Sequence, residues 1–201
     1  MNVFLRLGAY LLHPLLMPVL GTLIYYLITP RFVEPEIKVT KLFAVAIITF
    51  FIPVITFFLL RNLRLVETIH LRDVRERKFP LMIKCLLVLL IVKLVFHPYE
   101  DPEMYYFFVG ILFSTITSLI LVLLRFKVSL HQVGIAGVTV YLIGLSVHFQ
   151  VNMLPWIALF FFFNGWVASS RLFTRSHTFP ELTMGLLVGV IPQLTVMNMW
   201  L

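Results

Sequence analysis

Between Glu103 and Arg125 not one side chain is Lys, Arg, Asp or Glu, and the same holds between Lys41 and Arg61 and between Lys127 and Arg171. Apolar runs of roughly 20 residues are what a helix needs to cross the hydrocarbon core of a bilayer. Repeated along one chain, they leave a water-soluble fold no means of covering them. Hydrophobic residues make up 61% of the sequence and charged ones 12%, against about half and a quarter in soluble domains. The runs lack the alternation of barrel strands, so each must satisfy its own backbone hydrogen bonds as a helix. Charges and prolines bound spans near 8–29, 40–60, 81–98, 104–124, 131–148, 154–171 and 182–200, about seven crossings at the usual span length. The expected fold is all-α: one polytopic transmembrane bundle of six or seven helices over 1–201, with Pro14, Pro18 and Pro53 kinking theirs. Thr29-Pro30-Arg31 follows the first run where a signal peptide has small residues, so a retained span is expected. The single cysteine, Cys85, cannot form an internal disulfide.

If every span crosses, the connections sort onto two faces. One face takes the N-terminus, 61–80, 125–130 and 172–181; the other takes 30–39, 99–103, 149–153 and the C-terminus. The formal charge is +7, but the basic residues lie in loops between spans, which points to phosphate-bearing lipid as partner and away from nucleic acid. Of the 16 Lys and Arg, eleven fall on the first face and four on or near the second. The positive-inside rule therefore puts the first face in the cytoplasm. Lys84 and Lys93, inside the third span, are expected to snorkel toward opposite faces, and His13, His70, His97 and His148 to be structural.

The first face also collects the residues with chemistry to offer. Its last loop reads Ser170-Arg171, five residues, His177, three residues and Glu181, and leads into a span containing Gly185 and Gly189. That pattern resembles the third signature of the type 2 phosphatidic acid phosphatase (PAP2) superfamily, in which the acid is usually Asp. Lys127-Val-Ser129-Leu-His131 is a looser counterpart of the second signature, keeping serine and histidine without the proline and glycine. Arg72 and Pro80 fall in register with the first, although Phe79 stands where arginine is expected and Arg75, Arg77 or Lys78 must compensate. Two apolar spans separate Arg72 from His131, which makes Arg125 and Lys127 rival phosphate ligands. The resemblance covers about 70–195 and rests mainly on the third motif.

The resemblance implies a metal-independent, cofactor-free phosphatase in which His177 attacks phosphorus and His131 protonates the departing oxygen. Arg171, Ser129, Lys127, Arg72, Lys78 and Arg125 are the expected phosphate-binding set. The chemistry of the side chains agrees: arginine offers a planar fork to two phosphate oxygens, and imidazole suits both nucleophile and acid. Glu181 lies four residues after His177, so a helix starting near Pro180 brings its carboxylate to the other ring N–H. The expected substrate is a lipid phosphate reaching the site from within the bilayer, a polyprenyl phosphate or diphosphate or a phosphatidic acid-like lipid. Transfer of the phosphate to a second lipid, and binding or transport without turnover, are alternatives that the sequence leaves open, as it does the oligomeric state.

Overall fold

The computed structural model describes residues 2–64 and 74–201, and every regular element among them is helical. Arg72 and His70 lie outside the described residues. In chain order the helices are α1 (Asn2–Leu11), α2 (Met17–Ile28), α3 (Pro35–Ala46), α4 (Ile52–Asn62), α5 (Lys78–Leu94), α6 (Pro102–Leu123), α7 (Leu130–Phe149), α8 (Leu154–Phe173) and α9 (Phe179–Met197). Proline stands in the first two positions of α2, α3, α6, α8 and α9, where its fixed φ suits a helix and its missing N–H costs nothing.

Five helical stretches are long and apolar enough to cross a membrane: Pro35–Asn62, α6, α7, α8 and α9. They make this a multi-pass membrane protein. The first of them is α3 and α4 joined through a π turn at Ile47–Phe51. Pro53 cannot donate to the Thr49 carbonyl four residues back, and the wider turn absorbs the lost bond without ending the helix. Residues 8–29, expected as one span, instead form two short helices broken at 12–16. Pro14 pushes His13 away from helical geometry and, with Pro18 one turn later, removes two bonds of the ladder. The expected third span corresponds to α5, which has 17 residues and three lysines, Lys78, Lys84 and Lys93. At about 25 Å, α5 is at the short end of spanning length.

The most buried of the five is α7, which packs against α2, α6, α8 and α9. Its approach to α9 is set by a Gly-x-x-x-Gly pair. A Cβ on Gly185 would lie 2.8 Å from the Ser129 carbonyl oxygen, and one on Gly189 would lie 2.5 Å from that of Val133. Small residues permit this backbone contact in a membrane, where apolar surface alone gives helices little reason to associate. The link to α8 is polar: Gln132 donates to Asn164 at 2.9 Å and Asn164 to Thr139 at 2.8 Å.

The described connections gather at two ends of the bundle. At the end of the bundle holding 29–34, 97–103 and 148–153, the fully buried Glu103 takes Arg31 at 2.7 Å and His148 at 2.9 Å, and Tyr25 donates to it at 3.4 Å. Lys41 pairs with Asp101 beside them. His148, expected to be structural, is thus one of the partners of Glu103 at this end.

Candidate phosphate site

At the other end, the C-termini of α6 and α8 meet the N-termini of α7 and α9. α8 closes in a Schellman arrangement: Arg175, in the left-handed region at φ 50°, donates its N–H to the Leu172 carbonyl, and Ser176 donates to Arg171 at 3.0 Å. The His177 N–H also reaches the Arg171 carbonyl, at 3.4 Å. This closure fixes the five-residue interval of the motif, because it returns the chain to Arg171 just as His177 arrives. α6 ends alike, with Arg125 at φ 64° and the Phe126 N–H on the Leu121 carbonyl at 2.8 Å.

α9 then starts with a capping box between Thr178 and Glu181. Glu181 Oε2 accepts the Thr178 N–H at 3.2 Å and lies 2.7 Å from His177 Nδ1. One carboxylate oxygen thereby caps the helix and holds the imidazole. The two helix N-termini are tied directly, the Ser129 N–H donating to the Glu181 carbonyl at 3.2 Å, so the positive ends of two macrodipoles face the same space.

That space is a cavity of about 1100 Å³. Arg77, Lys127, His131, Arg171, Arg175 and His177 line it, together with Tyr10, His13 and Lys84. Toward the bilayer it continues between α4 and α5 along Pro53, Val54, Phe57, Phe58, Leu81, Ile83 and Leu87. No described lining residue is a carboxylate. Two cations stitch the loops around it: Arg77 donates to the Val128 carbonyl at 2.8 Å and Lys127 to the Ser176 carbonyl at 3.0 Å.

His177 is held neutral. Burial first, then the charges of Arg77, Arg171 and Lys127, lower its pKa from 6.5 to about 3, although a carboxylate lies beside the ring. An ionised carboxylate only accepts, so Nδ1 carries the proton toward Glu181 and Nε2 keeps its lone pair. Arg77 stays charged: burial pulls it down to about 10, opposed by Glu181 and reinforced by Arg171.

Of the residues expected from the sequence, the cavity brings together His177, His131, Lys127 and Arg171, with Glu181 behind His177. Ser129 is buried at the N-cap of α7, its hydroxyl without a hydrogen-bond partner among the described residues, as is that of Ser170 and the Nε of Arg171. Lys78 and Arg125 are exposed and do not line the cavity. The loop 74–80 contributes Arg77 instead, because the 3-10 turn Arg75–Arg77 turns that side chain inward and leaves Lys78 on the outside of α5. His13 and Lys84, expected as a structural and a snorkelling residue, line the cavity too. The break before Pro14 brings His13 into contact with His131, their rings 5.3 Å apart and edge to face. Lys84 follows Arg77 by seven residues, two turns along one face of α5. The sequence signal for both was a polar side chain well inside an apolar run. Among the described residues no group of three His, Cys, Asp or Glu is placed to hold a metal ion.

No known protein family, curated protein or solved structure matches the chain.

Proposed function

We propose that this protein is a lipid-phosphate phosphatase, a divergent relative of the PAP2 enzymes that works through a phosphohistidine at His177. The observation that carries the reading is His177, 2.7 Å from Glu181, on the wall of a cavity whose described charged residues are all cationic and which continues along apolar side chains. A phosphate matches the charge of one end and a lipid chain the surface of the other. The His177 Nε2 lone pair forms a bond to phosphorus while the bond from phosphorus to the lipid oxygen breaks, its electrons leaving on that oxygen. A protonated His131 supplies the proton that completes the lipid hydroxyl. Arg77, Lys127 and Arg171 hold the equatorial oxygens, and Glu181 offsets the charge that develops on the imidazole. Water then attacks the phosphohistidine, passing its proton to the now neutral His131. The N–P electrons return to His177, and inorganic phosphate leaves.

The test is phosphate release from polyprenyl, glycerophospholipid and sphingoid phosphates, with wild type and His177→Ala. Wild type should release phosphate from at least one class and His177→Ala from none. Release by the variant at the wild-type rate would end the reading, and binding without release from any substrate would make the protein a non-catalytic carrier. The excess of Lys and Arg supports a cytoplasmic site face even after the possible phosphate ligands Arg72, Lys78, Arg125, Lys127 and Arg171 are set aside, leaving six against four. α9 starts at the site, and Trp200 beyond its end packs on His148 at the opposite one, their rings 5.4 Å apart. A C-terminal alkaline phosphatase fusion should therefore be active and a green fluorescent protein fusion dark; the reverse would place the site outside the cell membrane.

A further inference from the structure

Lys84 lies on a helix between apolar runs, and its side chain lines the cavity. Among the described residues it has no hydrogen-bond or carboxylate partner, and its electrostatic neighbours are Cys85, next in the chain, and His13. Ionisable groups at such positions are costly and mark ligand or ion pathways. His13 connects Lys84 to the phosphate site, for it lies within electrostatic reach of Lys84 and Arg171 and packs on His131. The Leu15 N–H donates to His13 Nδ1 at 3.3 Å, so in the neutral ring the proton sits on Nε2, available to an acceptor.

His131 is the leaving-group acid of the proposed reaction, and His13, in contact with it, and Lys84, within electrostatic reach of His13, line the same cavity. A plain alcohol leaving group has no charge to offer there. A phosphate does.

We propose that His13 and Lys84 form a second anion subsite, which binds the phosphate that stays on the lipid when the terminal phosphoryl group of a lipid diphosphate passes to His177. This inference rests on the phosphatase reading above and narrows its substrate to diphosphate esters. The step balances as before: the N–P bond forms, the bond from the terminal phosphorus to the bridging oxygen breaks, and the electron pair stays on the lipid monophosphate. Lys84 and the His13 N–H stabilise that charge, and His131 supplies the proton. Phosphate esters of alcohols lack the group this subsite holds, so Lys84 sets specificity.

The experiment measures kcat/KM for farnesyl diphosphate and farnesyl phosphate with wild type, Lys84→Met, Lys84→Arg and His13→Ala. Methionine keeps the length of lysine and its place in an apolar helix while removing the charge. Wild type should favour the diphosphate. Lys84→Met and His13→Ala should each lower the ratio of the two constants by about tenfold or more, the usual weight of one hydrogen bond to a charged group. Lys84→Arg should restore most of the ratio. Inhibition of wild-type farnesyl phosphate hydrolysis offers a readout that needs no variant: methylenediphosphonate should inhibit more strongly than inorganic phosphate. Equal inhibition by the two, or a ratio unmoved by Lys84→Met, overturns the second subsite while leaving the phosphatase reading intact. Release of phosphate from neither ester by wild type overturns the second subsite, and the panel of lipid phosphates above decides the phosphatase reading separately.

Discussion

Glu181 does two tasks with one oxygen, and the two can be separated. Oε2 caps α9 by accepting the Thr178 N–H at 3.2 Å and orients His177 from 2.7 Å. Glu181→Gln keeps an acceptor for the cap but removes the negative charge behind the imidazole. A hydrogen bond to a charged group contributes about 1.5–3 kcal/mol and a neutral one about 0.5–1.5 kcal/mol. The difference, about 1–2 kcal/mol, is roughly 5- to 30-fold in rate. The loss is larger if the glutamine amide turns its NH₂ toward His177, since the ring then carries its proton on Nε2 and has no lone pair for phosphorus. Thr178→Ala makes the opposite change: it breaks the serine/threonine half of the cap, at about 1 kcal/mol of stability, and leaves the pair of His177 and Glu181 in place. Glu181→Ala should combine both losses. Phosphate release and thermal unfolding in detergent, measured on all three variants, give a two-by-two pattern. Wild-type kcat/KM in Glu181→Gln would refute the role of the carboxylate, and equal loss of activity in Thr178→Ala would mean that the cap, and not the charge, governs the site.

Three further outcomes follow from the geometry. Because the folded pKa of His177 is about 3 against 6.5 for an ordinary histidine, the unfolded chain binds more protons between these values. Stability from this group is present above 6.5 and lost as the pH falls toward 3, so His177→Gln should flatten the acid side of a plot of Tm against pH; identical plots would exclude it. Arg77→Ala and Lys127→Ala should each lower kcat/KM by about a hundredfold, as for a donor to a developing anion, whereas Lys78→Ala and Arg125→Ala, outside the cavity, should stay near wild type; the reverse would return the phosphate to the loop surface. Gly189→Ala sets a Cβ 2.5 Å from the Val133 carbonyl oxygen and should destabilise the bundle by about 1–3 kcal/mol, while slowing turnover by separating the N-termini of α7 and α9; an unchanged Tm would mean that the two helices part freely.

What could be read in advance was local. The contact of His177 with Glu181 depends on an i, i+4 interval at a helix start that Pro180 and the capping residues announce, and the charge-free runs define the long helices. The first motif was harder, because the choice between Arg77 and Lys78 depends on the phase of one 3-10 turn entering α5, which hydropathy does not report. His13 and Lys84 were harder still. Each sits in an apolar run, and only the break at Pro14 and the face of α5 shared with Arg77 place them beside His131 and the cavity. The span 8–29 failed as a continuous helix for the same reason: two prolines one turn apart in a run of high hydropathy break the ladder where composition alone predicts continuity.

The cavity's lining of cations without a described carboxylate also ties occupancy to folding. An anion that binds there binds the native state and not the unfolded chain, so at a hundred times its Kd it adds about 2.7 kcal/mol to the free energy of unfolding. On the proposed function, substrate, product and inorganic phosphate would each act as structural ligands as well as take part in turnover. The midpoint of thermal unfolding becomes a direct measure of what the cavity holds, and a panel of anions can be ranked by it before any reaction has been observed.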